Sequence, residues 1–297
     1  MKTTKKIIGV MLALSMLFAS LAVMSSAAIN PKKLTVADAR AVLRAAVGIQ
    51  PLSAADKKTG DIDFDSKITV SDARTVLRIA VGLDVIDGKS YNNEYELLTS
   101  GHYSFTGSYT EKDSKSQTVG KVSLVVTASS VKMDIAGVLA AAGGDMDELN
   151  DIFALLGDEN FQLSSILFAN GKISMVSDNS MEAISFSESV MGDEFSAMRD
   201  ELKNFIPALH TSLSQASSTR KESFGGKSCT VYVFAEKDSS GVSYTSNVFM
   251  DGNKLVKIDY ANSKGVVFRS ISFDSFSRVV ASTDMSLNGY TVYDIKL

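Results

Sequence analysis

One stretch of this chain occurs twice. LTVADARAVLRAAVGIQ, Leu34 to Gln50, aligns without a gap on ITVSDARTVLRIAVGLD, Ile68 to Asp84, at an offset of 34 residues, with eleven of seventeen positions identical. So close a duplication makes two copies of one structural unit the first expectation. In each copy an Asp, Asp38 or Asp72, opens a segment whose apolar residues recur at helical spacing: Ala39, Val42, Leu43 and Ala46 in the first, Ala73, Val76, Leu77 and Ala80 in the second. Each copy ends at Val-Gly, with Gly48 and Gly82 placed for the left-handed backbone that closes a helix. Two short helices, each with one apolar stripe, have to pack on each other.

The copies differ in what precedes the helix. The second is preceded by Asp61, Asp63 and Asp65, alternating through a short polar loop, and Asp72 stands eleven residues after the first of them. Alternate residues of a tight turn aim their carboxylates at one hard cation. Lys67 then offers a backbone carbonyl, Thr69 a hydroxyl or a bridging water, and Asp72 a carboxylate at the start of the helix. Ile68 is expected to pack under the loop. Ser66 stands where glycine usually makes the sharp turn, which predicts a strained loop and a weaker site. The same steps back from Asp38 reach Pro31, Ile29 and Ala27, none of them a ligand, so one calcium site is expected. The alternative is a solvated turn capped by Asp72.

The paired repeats, the loop DIDFDSKITVSD and the helix ARTVLRIAVG resemble the dockerin module, a duplicated calcium-loop-and-helix unit that docks secreted bacterial proteins onto cohesin domains of scaffold proteins. The resemblance covers Lys32 to about Ile86. It implies that Asp61, Asp63, Asp65, Lys67, Thr69 and Asp72 carry Ca2+. It also implies a partner face at Val70, Ser71, Arg74 and Arg78, with Val36, Ala37, Arg40 and Arg44 in the first copy. Val70 and Val36 depart from the small hydroxyl residues many dockerins show, and the lost first loop departs further. A dockerin-like packing unit with no cohesin partner is therefore the competing expectation.

Lys2, Lys5 and Lys6, the apolar run Ile7 to Val23 and the small residues Ser25 to Ala28 follow the order of a secretory signal peptide, with a membrane anchor as the alternative. The expected divisions are 1–28 signal peptide, 29–88 calcium-binding module and 89–297 a second domain, in a secreted bacterial protein free or held at the cell surface. No Cys lies near the exit of the leader, which excludes a lipid attached there, and the single Cys229 makes no internal disulfide. Cys229, in SCTVYVF, reads as a buried strand residue. Removing residues 1–28 takes away three lysines and no acids and moves the formal charge from −4 to −7, so nucleic acid is not an expected partner.

After a turn-rich connection, Asp87 to Tyr95, the pattern becomes alternating. HYSFTGSYT, KVSLVVTASSVKMDI, FQLSSILFA with KISMV, SCTVYVFAE, YTSNVFM, KLVKIDYA, GVVFRSISFDSF and YTVYDIKL read as strands, and Asp251-Gly252-Asn253 as a hairpin turn. Two helical patterns interrupt them, Val138 to Leu156 and Ser189 to Leu213. The expected fold is a small all-α calcium-loop helix pair followed by an α+β domain, a curved antiparallel sheet covered by helices. With its late SFSRVVASTDMSL…GYTVYDI, that domain resembles the LolA/LppX half-barrel lipoprotein carriers, which implies an apolar cleft for a lipid. An ordinary core is the competing expectation.

No GxSxG, HExxH or phosphate loop is present, and GGK at Gly225 to Lys227 reads as a turn. His102 and His210 read as surface or half-buried residues, and Asp145, Asp147, Glu148, Asp193 and Glu194 as helix-start acids. The expectation is a non-enzymatic protein held to a cohesin-bearing scaffold in extracellular polysaccharide degradation. The alternative is a lipid or apolar-ligand carrier with an accessory N-terminal unit. A hydrolase follows only from what dockerins accompany.

Overall fold

The computed structural model describes residues 28–112, 117–134, 161–188, 210–237 and 240–295, with Ser196, Arg199, Asp200, Leu202, Lys203 and Ile206 between them. The expected leader, the helix Val138 to Leu156 and the acids Asp145, Asp147, Glu148, Asp193 and Glu194 lie outside those residues. Within the second expected helix, Ser189 to Leu213, Ser196, Arg199, Asp200, Leu202 and Lys203 are helical, whereas Ile206 and His210 to Ser212 are not, so the helix does not reach Leu213.

The duplicated segments are helices α1 (Val36–Ala46) and α3 (Val70–Ala80), and between them runs α2 (Ala54–Gly60). Both copies are capped alike at each end. Thr35 and Thr69 accept a hydrogen bond from the N–H of Asp38 and Asp72, whose carboxylates accept from the threonine N–H at 2.7 and 2.9 Å. At the far ends Ile49 and Leu83 donate their N–H groups to the carbonyls of Arg44 and Arg78 at 2.8 and 2.9 Å. Gly48 and Gly82 make this possible at φ of 75° and 78°.

Ala39 and Val42 of α1 are buried in one cluster with Ala73 and Val76 of α3, completed by Ile29, Leu34 and Ile62. The expected stripe is narrower than its periodicity suggests. Leu43 and Leu77 are exposed, because two short helices in contact cover little more than the line along which they meet.

Among the described residues, twelve strands form one sheet. Strands β2 (Tyr103–Lys112), β3 (Gln117–Val126), β4 (Val131–Asp134), β5 (Ser165–Ala169), β6 (Lys172–Ser177) and β7 (Glu182–Ser187) make a first meander. A second meander comprises β8 (Ser218–Phe224), β9 (Lys227–Lys237), β10 (Ser243–Asp251), β11 (Lys254–Asn262) and β12 (Val267–Ser277). The two join where β12 pairs with β2. Gly107 sits at that seam, where a Cβ would come within 1.9 Å of the Ser272 carbonyl oxygen, so only glycine fits.

Three sequence expectations change. KVSLVVTASSVKMDI is two strands, because Thr127 and Ser130 close a turn with N–H to carbonyl distance 2.8 Å. β8 was not foreseen, being a polar edge strand with little alternation to read, and neither was β7. The sheet is not wholly antiparallel: β14 (Thr291–Ile295) runs parallel to β7.

Nor does Asp87 to Tyr95 act as a spacer. Tyr91 and Tyr95 are buried in the main core, together with Tyr103, Phe105, Leu124, Met133, Phe234 and Phe276 of the sheet. β1 (Asp84–Val85) pairs with β13 (Val280–Ala281) immediately after α3, and Ser282 donates its hydroxyl to the Gly82 carbonyl at 2.8 Å. The helical unit is therefore packed onto the sheet rather than tethered to it.

Candidate metal centre and the face beside it

The loop begins where α2 ends. Carboxylate oxygens of Asp61, Asp63 and Asp65 all lie within 4.8 Å of one another. They are held there by the loop's own backbone. The Asp65 N–H is shared between Asp61 and Asp63 at 3.1 Å each, the Ser66 N–H reaches Asp61 at 2.9 Å, and the Lys67 N–H reaches Asp65 at 2.8 Å.

The winding that achieves this places two non-glycine residues in the left-handed region, Phe64 at φ 58° and Ser66 at φ 66°. Such a conformation costs about 1–2 kcal/mol per residue. The Asp61 carboxyl is pushed up to about 6, first by burial and then by the charges of Asp72, Asp63 and Asp65, against the Ser66 N–H that lowers it. Three crowded, hard oxygen donors of like charge form a set suited to Ca2+, which takes six to eight oxygens. They would supply three.

Asp72 and Thr69 are engaged in the cap. The Asp72 carboxylate, buried at 2% exposure, accepts the Ile62 N–H at 3.0 Å, the Thr69 N–H at 2.9 Å and the Thr69 hydroxyl at 2.7 Å. Asp38 and Thr35 make the same reciprocal pair in the copy that has no acidic loop before it. Ile68 packs against the helix-pair core.

On the expected partner face, Val36 and Val70, Ala37 and Ser71, and Arg40 and Arg74 are exposed. Arg44 is half-buried, and Arg78 is held by Asp84 in a two-pronged ion pair at 2.7 and 2.8 Å. Beside Val36 and Val70, the structure leaves Leu43, Val47 and Ile49 and their counterparts Leu77, Val81 and Leu83 exposed. Exposure matches pairwise between the copies: Val36 57% and Val70 57%, Leu43 41% and Leu77 42%, Val47 53% and Val81 56%, Ile49 65% and Leu83 53%. The signal was present in the two repeats, which keep an apolar residue at each of these positions.

Neither histidine joins these groups. His102 is buried, not at the surface, with Nε2 3.2 Å from the Val85 carbonyl oxygen. His210 is half-buried, stacked on Phe234 with ring centroids 4.4 Å apart and 2.5 Å from a Glu236 oxygen. Cys229 is fully buried on β9.

No family model matches the chain, and no curated protein matches it. The dockerin resemblance therefore stands on the residues quoted for it. Solved structures give distant matches. An uncharacterized conserved protein from Thermus thermophilus aligns at 7% identity and TM-score 0.31, over 68% of this chain and 95% of that one. The Pseudomonas aeruginosa MucA/MucB complex aligns at 11% and 0.32, over 65% of this chain and 58% of that one. A putative outer membrane lipoprotein-sorting protein domain from Vibrio parahaemolyticus aligns at 9% and 0.24, over 66% and 95%. Scores at this level carry no argument about what the chain does. Among the described residues no helix is long and apolar enough to cross a membrane.

Proposed function

We propose that the helical unit is a calcium-stabilised docking module of dockerin type, which holds the sheet domain to a cohesin-bearing scaffold outside the cell in polysaccharide breakdown. Asp61, Asp63 and Asp65 hold the cation in this reading. The observation that carries it is the matched exposure of apolar residues at the same positions of the two copies, which would suit a partner that covers them. These Val, Leu and Ile residues would be covered on docking, with the arginines at the rim. The test is calorimetric titration of the whole chain with Ca2+, followed by surface binding to a panel of cohesins. A chain that binds none of them, with and without Ca2+, defeats the reading.

A second reading rests on the sheet. Tyr103, Phe105, Phe234, Tyr260 and Phe276 belong to one core cluster, against which Leu202 packs and in which Ile206 is buried. Within that core the Tyr260 hydroxyl is buried and meets no hydrogen-bonding group among the described residues. A buried orphan hydroxyl among aromatic side chains would suit the polar end of an apolar ligand, such as a fatty acid or lipid, entering between them. Mass spectrometry of organic extracts from the purified chain tests it. A chain free of lipid that also takes up no fluorescent fatty acid excludes it.

A further inference from the structure

Two loop residues beside the acids, Phe64 and Ser66, bring no carboxylate to a cation, yet they contact the sheet domain. Phe64, between Asp63 and Asp65, is buried in the main core with Tyr91, Tyr95 and the sheet residues, not in the helix-pair core. Its ring is covered by the guanidinium of Arg278, 5.8 Å from the centroid. Arg278 is itself 2% exposed, lies 5.7 Å from the Tyr91 ring and donates to the Lys89 carbonyl.

Ser66, two residues further on, accepts from the Asn253 side-chain amide at 3.3 Å. Asn253 lies in the β10–β11 hairpin. Its carbonyl accepts the Glu94 N–H at 2.9 Å, and the buried Glu94 carboxylate accepts the Leu255 N–H at 2.6 Å. Phe64 and Ser66, which reach the sheet domain, are also the two residues of this loop held at positive φ. A bulky aromatic residue at positive φ is an outlier that needs an outside reason. Here the same winding turns Asp61, Asp63 and Asp65 toward one point and presents Phe64 and Ser66 to the sheet.

We propose that this loop is an interdomain latch: cation binding at Asp61, Asp63 and Asp65 and the seating of Phe64 and Ser66 on the sheet domain are one coupled equilibrium. The cation stabilises the backbone that seats the latch, and the seated latch preorganises the three acids. Coupling of this kind is reciprocal. Sheet residues that touch no cation therefore set the affinity of the loop, and the cation in turn stabilises strands far from it. The inference rests on the cation reading above.

The chain supplies its own reporter. Cys229, the single thiol, is buried on β9, two strands from β11, and reacts with a thiol reagent only when that part of the sheet opens. The experiment uses the whole chain, with Ca2+ as the only ligand. Calorimetry measures affinity, and thiol labelling with and without Ca2+ measures sheet opening. Saturating Ca2+ should slow labelling by about tenfold in the unaltered chain and leave it unchanged in Asp61→Asn. Asn253→Ala and the conservative Phe64→Leu should each weaken Ca2+ binding by about three- to tenfold although all three acids remain.

Unchanged affinity in both variants, together with a labelling rate indifferent to Ca2+, overturns the latch while leaving the cation site standing. A chain that binds no Ca2+ at all removes the cation reading and the latch with it. Circular dichroism confirms that each variant is folded. Should Phe64→Leu fail that check, Asn253→Ala, at an exposed hydrogen bond, decides alone.

Discussion

The two copies of the repeat have the same helices and different surroundings. Both are closed by a Thr–Asp capping box and a left-handed glycine, both bury one Ala and one Val, and both expose the same apolar positions. The difference lies in front of the helix. In the second copy Phe64 enters the sheet domain's core, whereas its counterpart 34 residues earlier, Asn30, is exposed. The helix residues thus build the same local pair twice, and the loop residues decide which copy meets the rest of the molecule.

The sharpest way to break this comparison is to truncate the counterparts. Phe64→Ala is expected to cost about 3–5 kcal/mol, as for a buried aromatic, and Asn30→Ala within about 0.5 kcal/mol. Urea unfolding of both variants checks it, and equal losses would show that the second loop is no more embedded than the first.

A smaller asymmetry is expected at the caps. Asp38→Ala removes the carboxylate half of a capping box, a loss of about 1 kcal/mol. Asp72→Ala also leaves the buried Ile62 N–H without its acceptor, a further loss of about 1–3 kcal/mol. The same urea series measures both.

Acidity separates the copies next, because only the second has Glu94 packed near its loop. Burial pushes the Glu94 carboxyl up to about 8, with the Leu255 N–H and Lys254 opposing and Asp63 adding to the rise. A carboxyl that holds its proton longer in the folded chain than in the unfolded one makes stability fall as pH rises from about 4.5 to about 8. Denaturation midpoints across that window should decline in the unaltered chain and decline less in Glu94→Gln.

The smallest effect on stability belongs to the shared face. Leu43→Lys and Leu77→Lys are each expected to change unfolding by less than about 0.5 kcal/mol, because neither side chain is buried. Each should nevertheless weaken capture by a cohesin. A large loss of stability in either would show that the face is covered within the chain.

Much of the helical unit was legible because its determinants are local. Thr35 with Asp38 and Thr69 with Asp72 are three residues apart, Gly48 and Gly82 follow their helices directly, and the alternation of three acids marks the loop. The β10–β11 hairpin was legible for the same reason, from Asp251-Gly252-Asn253. The short α2 was not expected, although Ser53 caps it, accepting the Asp56 N–H at 3.1 Å. The exposed β8 was not, since a polar edge strand takes its partner from β9 and carries little pattern of its own.

By itself the sequence determined what neighbours in the chain decide: two capped helices, a loop whose acids converge, and most of the strands. The tertiary structure alone decided what those pieces meet. Ser282 bonds Gly82 across 200 positions, Arg278 covers Phe64, and Asn253 reaches Ser66 across 187. No periodicity encodes such contacts, because a side chain's pattern states which face is apolar and not which distant surface will cover it. For that reason the stretch from Asp87 to Tyr95 reads as a linker in sequence and is part of the core in space.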